Sequence, residues 1–311
     1  MIYQDYKFTV PEEKMIRLIT NTDAKNEGDD QFAIVHALLS PKFDHVGMIA
    51  AHYGIGRDED SMEKSYQEIQ LILGKMGMKD QVPVYKGASV PMEDRNTPVV
   101  SEGARLIIEE AMKEDDRPLY VIFLGPLTDM ASAYLMRPEI AGRLTVIWIG
   151  GGRYPAGGPE FNLGNDIHAA NVVFSSPIPV WQVPKNVYEM IPVSMAELEY
   201  RVEPCGEIGK YLFEQLAEHS LEPIPRKSAF RTGEVWVLGD NPAVGLLLYE
   251  HRFCFDWVEA PLIGNSSEYI HTGLNRPIRV YNSIDPRLIM EDFYSKLALF
   301  HKKHPGAPLV I

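Results

Sequence analysis

The strongest constraint on this chain is a rhythm: a short uninterrupted apolar run, then turn residues, then apolar positions at helical spacing. Met15–Ile19 reads as a strand, and between Gly28 and Leu39 the residues Phe32, Val35 and Leu39 recur on one helical face. Val46–Ala51 and Ser61–Met76 repeat the strand and helix, the helix with Glu, Lys and Gln on its polar side. Val82–Tyr85 is a short strand before a Pro/Gly/Asp-rich loop from Lys86 to Pro98, and Ser101–Met112 is a helix that Ser101 can cap. Leu119–Leu124, Leu144–Ile149 and Ile178–Val183 are further apolar strands, with Leu127–Met136 and Ala169–Ser175 as helices between them. Strands without polar alternation are buried on both faces, which a parallel sheet covered by helices requires. In the C-terminal third, Gly206–Ser220, Pro242–Glu250 and Pro286–His301 read as helices, and Phe253–Val258 and Arg276–Tyr281 as strands. No Ser/Gly-rich linker, repeat or low-complexity tract interrupts the pattern. The expectation is one α/β domain over residues 1–311: a mostly parallel central sheet flanked by helices, with C-terminal helical additions.

The segment Thr20–Asp30 places Asp23, Glu27, Asp29 and Asp30 between the first strand and the first helix. In an open α/β sheet, ligands bind at the carboxyl ends of strands. Clustered carboxylates repel one another unless something positive lies among them. Helix N-termini favour negative charge, so Asp29 and Asp30 could be simple capping residues, but that leaves Asp23 unexplained. A hard divalent cation held by oxygen ligands accounts for all of them. The spacing does not match an EF-hand loop, and Gly-Lys-Ser/Thr of a phosphate-binding loop is absent. Asn21 stands where an Asp-x-Asp phosphotransfer nucleophile would need aspartate, and no Arg/Lys cluster near the aspartates offers a phosphate clamp.

With 43 acidic against 30 basic side chains and a formal charge of −13, the chain is a poor partner for nucleic-acid polymers. Cys205 and Cys254 are too few for a disulfide framework or a four-cysteine zinc site, and read as small, partly buried side chains. The N-terminal stretch has no signal-like apolar region and no run reaches membrane-spanning length, so the expected location is the cytoplasm. The run Gly150-Gly151-Gly152 with Gly157-Gly158 lacks the Gly-x-Gly-x-x-Gly order and reads as a tight loop that lets backbone approach a ligand.

Four segments, in order, resemble the inosine–uridine nucleoside hydrolase family. They are the Asp-rich cluster, Leu124-Gly125-Pro126-Leu127-Thr128-Asp129-Met130-Ala131, Glu160-Phe161-Asn162 with Asp166-Ile167-His168-Ala169-Ala170, and Gly239-Asp240-Asn241-Pro242-Ala243-Val244. The resemblance implies a calcium ion, or magnesium in its place, held by Asp23, Asp30, the Leu124 carbonyl and Asp240. It implies that Asp23 accepts the proton of the attacking water, and that Asp29, Glu160 and Asn162 bind the ribose. The implied reaction is hydrolysis of the N-glycosidic bond of a ribonucleoside or similar riboside, in purine or pyrimidine salvage. A catalytically weak ribose- or nucleoside-binding protein of the same fold is the alternative. A homo-oligomer, dimer or tetramer, is implied as well.

The chain departs from the family pattern in three places. The spacing from Asp23 to Asp29 is two residues longer, with Asn21 in place of an aspartate. Gly239 precedes Asp240 where purine-cleaving members often carry a histidine that protonates the leaving base. His52, Tyr53 and His271 are candidate donors, Trp236 a candidate stacking partner, and packing or surface roles compete for each. A base that is already cationic, such as a pyridinium, would leave neutral without an acid. No residue for the ribose 5′-hydroxyl is recognisable; Tyr154 falls nearest, and a 5′-modified sugar stays open.

Overall fold

The computed structural model describes residues 2–221, 233–249 and 253–305. Its strands are β1 (Ile16–Thr22), β2 (Phe43–Ala50), β3 (Val84–Lys86), β4 (Leu119–Phe123), β5 (Thr145–Ile149), β6 (Val180–Val183), β7 (Pro192–Ser194), β8 (Val235–Val237), β9 (Phe255–Glu259), β10 (Leu262–Ile263), β11 (Tyr269–Ile270) and β12 (Pro277–Tyr281). Its α-helices are α1 (Asp30–Leu38), α2 (Ser61–Lys75), α3 (Glu102–Met112), α4 (Thr128–Met136), α5 (Phe161–Asn165), α6 (Ile167–Ser175), α7 (Lys185–Tyr188), α8 (Met195–Arg201), α9 (Gly206–Leu221), α10 (Asn241–Leu248) and α11 (Pro286–Lys303).

Eight strands form the central sheet in the order β3-β2-β1-β4-β5-β6-β12-β9, and β9 alone runs antiparallel to its neighbour. Every residue of β1 is buried, as expected of a strand covered on both sides. Its alternate side chains feed two cores. Leu18, Ile122, Ile147 and Ile149 face one core with α1, α2, α9, α10 and α11. Ile19, Val121, Phe123, Val146 and Trp148 face the other, with α3, α4 and α6. The chain lays β2 and β3 on one side of β1, then returns to place β4, β5 and β6 on the other. The carboxyl ends of β1 and β4 therefore flank the switch point, where such sheets open a crevice.

The expected alternation holds with local shifts: the third strand begins at Val84, and α6 begins at Ile167. Ser101 caps α3 as expected, accepting from the Ala104 N–H at 2.9 Å. The C-terminal third carries the expected helices α9, α10 and α11 together with the two expected strands. β12 pairs in parallel with β6 and β9 completes the edge, so this part extends the main sheet. α10 ends at Leu248, and Glu250, expected within it, lies outside the described residues. Cys205 is buried, but Cys254 is exposed rather than partly buried. Among the described residues, no helix is long and apolar enough to cross a membrane.

Candidate active site

A cavity of about 170 Å³ lies at the switch point, and all seven expected site residues line it: Asp23, Asp29, Asp30, Leu124, Glu160, Asn162 and Asp240. Asp23 directly follows β1, and Leu124 directly follows β4. Asp29 and Asp240 occupy the N-cap positions of α1 and α10, yet neither side chain accepts a capping hydrogen bond. The capping reading thus fails for Asp29: its carboxylate lines the cavity and makes no hydrogen bond to the helix end. The positive ends of both helices still face the acidic cluster.

One carboxylate oxygen from each of Asp29, Asp30 and Asp240 lies within 4.8 Å of the others. Asp23, expected as a ligand beside Asp30 and Asp240, lines the same cavity but lies outside this close trio. Asp30 Oδ1 accepts from the Thr22 hydroxyl at the end of β1. Asp23 packs against Gly125, where a Cβ would stand 2.9 Å from the Asp23 Cγ. The second oxygen of Asp23, Oδ2, is buried without a hydrogen-bond partner.

Burial pushes the carboxyls of Asp23, Asp29 and Asp240 well above the ordinary carboxylate range, and repulsion among the aspartates adds to it. Burial also raises Asp30, while hydrogen bonds from Thr22 and Asp240 hold it to about 7. The described lining has one basic side chain, Lys185, whose amine is 3.9 Å from Glu189. Converging buried carboxylates, an orphaned carboxylate oxygen and the Leu124 carbonyl, which takes one hydrogen bond from Asn162 and keeps a second lone pair, suit a hard divalent cation with oxygen ligands.

Glu160 caps α5 and accepts four hydrogen bonds. Its Oε2 takes the N–H groups of Gly151 (2.7 Å) and Leu163 (2.9 Å); its Oε1 takes the Asn162 N–H and the Tyr188 hydroxyl, both at 3.1 Å. Asn162 donates through Nδ2 to the carbonyls of Leu124 (2.6 Å) and Ile149 (2.9 Å), so only its amide oxygen is left for a ligand. It ties the ends of β4 and β5 together beneath the cavity.

Behind the cavity, two buried aspartates from the motif segments act as fasteners. Asp129 accepts from Asn21 Nδ2, the Ala88 N–H and the Ser101 hydroxyl at 2.9, 2.9 and 2.6 Å. Asn21 thus faces Asp129 behind the cavity. Asp166 accepts from the Thr128 hydroxyl, the Met92 N–H and the Ala169 N–H.

None of the expected proton donors or stacking residues lines the cavity. His52 is fully buried, its Nε2 2.9 Å from the Thr128 hydroxyl. Tyr53 donates to Asp58, and His271 sits 2.8 Å from the Pro155 carbonyl with its ring against Tyr154. Trp236 lies in β8, whose Val237 reaches the cavity instead. The sequence reading missed Tyr188, which lies on α7 just beyond β6 and whose ring flanks Gly239. A Cβ on Gly239 would stand 3.0 Å from Tyr188 Cδ2. Glu27, the fourth carboxylate of the N-terminal cluster, also lines the cavity.

The model of the family described as "Inosine-uridine preferring nucleoside hydrolase" matches residues 18–285. The pyrimidine-specific ribonucleoside hydrolase RihA of Escherichia coli O127:H6 (strain E2348/69 / EPEC) is 26% identical over 219 residues, covering 62% of this chain and 68% of the relative. Among solved structures, the purine-preferring ribonucleoside hydrolase from Gardnerella vaginalis superposes with a TM-score of 0.77 at 19% identity, covering 92% of this chain and 99% of that one. The inosine-uridine preferring nucleoside hydrolase from Bacillus anthracis superposes with a TM-score of 0.70 at 16% identity, covering 92% and 100%. With a family match that takes in both strand ends of the switch point and the late aspartate, the chain belongs to the inosine-uridine preferring nucleoside hydrolase family and is an N-glycosyl hydrolase.

Proposed function

We propose that this protein hydrolyses the N-glycosidic bond of a ribonucleoside or closely similar riboside with a divalent cation, calcium or magnesium, at the cavity. The observation that carries this reading is the convergence of Asp29, Asp30 and Asp240 beside Asp23 at the switch point. Asp23, Asp30, Asp240 and the Leu124 carbonyl would hold the ion, with Asp29 close enough to join them. Bound there, the cation lowers the pKa of water at the site. Asp23, with an oxygen that no protein donor satisfies, accepts the proton of the attacking water. Asp29, Glu160 and the Asn162 oxygen hold the ribose hydroxyls. The acidic lining stabilises the positive charge that develops on the sugar as the C–N bond breaks.

The relatives' names disagree over the base, one pyrimidine-specific and another purine-preferring. The described lining of the cavity holds no histidine. A riboside whose base leaves neutral, such as a pyridinium riboside, needs no proton donor, and its positive charge suits an acidic cavity. The test is sugar release from uridine, inosine and nicotinamide riboside in calcium buffer, with Asp23→Ala as control. Release should fall by about 10²–10⁴-fold in the variant, and undiminished release overturns the assigned role. Faster cleavage of uridine or inosine than of nicotinamide riboside overturns the base assignment alone. Ribose binding without release from any riboside would favour the binding-protein alternative, toward which Gly239 points.

A further inference from the structure

Glu160 presents a problem for any ligand. A carboxylate has about four acceptor positions on its two oxygens, and the protein already fills four: Gly151 and Leu163 N–H on Oε2, Asn162 N–H and the Tyr188 hydroxyl on Oε1. Three of these donors are backbone. The Asn162 and Leu163 N–H groups belong to the first turn of α5, where donors need a cap. Gly151 lies in the turn after β5 with φ +83°, its own carbonyl accepting from the Lys185 N–H at 2.9 Å. Withdrawing any of them would leave backbone unsatisfied. Tyr188 differs: it is a side chain on the one-turn helix α7, half-buried at the cavity wall. Its ring already takes up the space beside Gly239 that a side chain there would use.

We propose that Tyr188 is a place-holder for the substrate: its hydroxyl occupies the Oε1 position on Glu160 that a ribose hydroxyl takes, and yields it when ribose binds. The proposal deepens the ribosyl-hydrolase reading and rests on it. Holding the carboxylate in its binding orientation in the free enzyme comes at the expense of affinity, because the incoming hydroxyl must displace a hydrogen bond already made. Tyr188 is therefore a positioning residue that tunes specificity for that hydroxyl.

The test is Tyr188→Phe, which keeps the ring and removes the competitor. Isothermal titration with ribose in calcium buffer should give a Kd about three- to tenfold lower than wild type, the range expected for one net hydrogen bond. The gain should vanish with whichever of 2-deoxy-, 3-deoxy- or 5-deoxyribose lacks the hydroxyl that Glu160 takes, a pattern that a merely structural role would not produce. If Tyr188→Phe folds poorly, Tyr188→Leu, which also lacks the hydroxyl, carries the same expectation. A Kd that rises or stays unchanged in an enzyme that still cleaves ribosides overturns the exchange alone. A wild-type protein that neither cleaves a riboside nor binds ribose overturns both the exchange and the reading beneath it.

Discussion

Asp23 is placed by a glycine. Gly125, at the turn after β4, leaves the room that the Asp23 carboxylate uses, and a Cβ there would lie 2.9 Å from its Cγ and 3.0 Å from its Oδ1. Gly125→Ala should therefore displace the carboxylate by a fraction of an ångström to an ångström. A shift of that size lowers kcat by about 10²-fold where geometry governs rate, and steady-state kinetics beside a circular-dichroism melt would separate this from loss of fold. The acids of this site were legible in the sequence because carboxylates are rare in buried strand ends unless they have work to do. Tyr188 was not legible. Nothing in Lys185-Asn186-Val187-Tyr188 distinguishes a cavity wall from an ordinary helix, and its meaning depends on Gly239 and Glu160, each distant in sequence.

At the scale of elements, the long apolar strands were legible because burial on both faces leaves no polar alternation. β7, β8, β10 and β11 were not, being two or three residues long, too short to display a period. α5 escaped for the same reason: five residues, Phe161–Asn165, carry too little periodicity to reveal a helix that Glu160 caps. The motif Leu127-Thr128-Asp129 was visible, but its task was not. Asp129 joins β1 through Asn21, the loop after β3 through Ala88, and α3 through Ser101. Asp129→Ala would strand those three buried donors and should destabilise the fold by about 2–4 kcal/mol, measured as a lower urea midpoint. Because β1 leads directly into Asp23, the folded fraction should also lose activity; an unaltered kcat would place the fastener's effect outside the site.

For the molecule as a whole, the acidic cavity joins helices from the two ends of the chain, α1 and α10. A cation bound there would favour the folded state, because the unfolded chain has no assembled site for it. Calcium at about one hundred times its Kd should stabilise the protein by about 2.7 kcal/mol, read as a rise in Tm that EDTA reverses and that Asp240→Ala abolishes. Protons act in the other direction through three histidines. Burial lowers His36, His45 and His52 from 6.5 to about 4. Between those values the unfolded chain binds protons that the folded chain refuses. Stability supplied by the neutral imidazoles is thus complete above pH 6.5 and drains away as pH falls toward 4. With calcium present, the slope should approach about 1.4 kcal/mol per pH unit for each histidine, and His52→Gln should remove about a third of it. Urea titrations from neutral pH downward would check both.

The pairing of Asp30 with Asp240 across the switch point also bears on synthesis. A nascent chain emerging from the ribosome can lay down β1 to β6 long before Asp240 has been translated. Until then the acidic half at residues 23–30 has no late partner, and α10 cannot close over it. The growing polypeptide would carry a sheet without a working pocket, so competence arrives late and abruptly, with the last quarter of the message. A truncation that stops short of Asp240 should leave a collapsed but inert product.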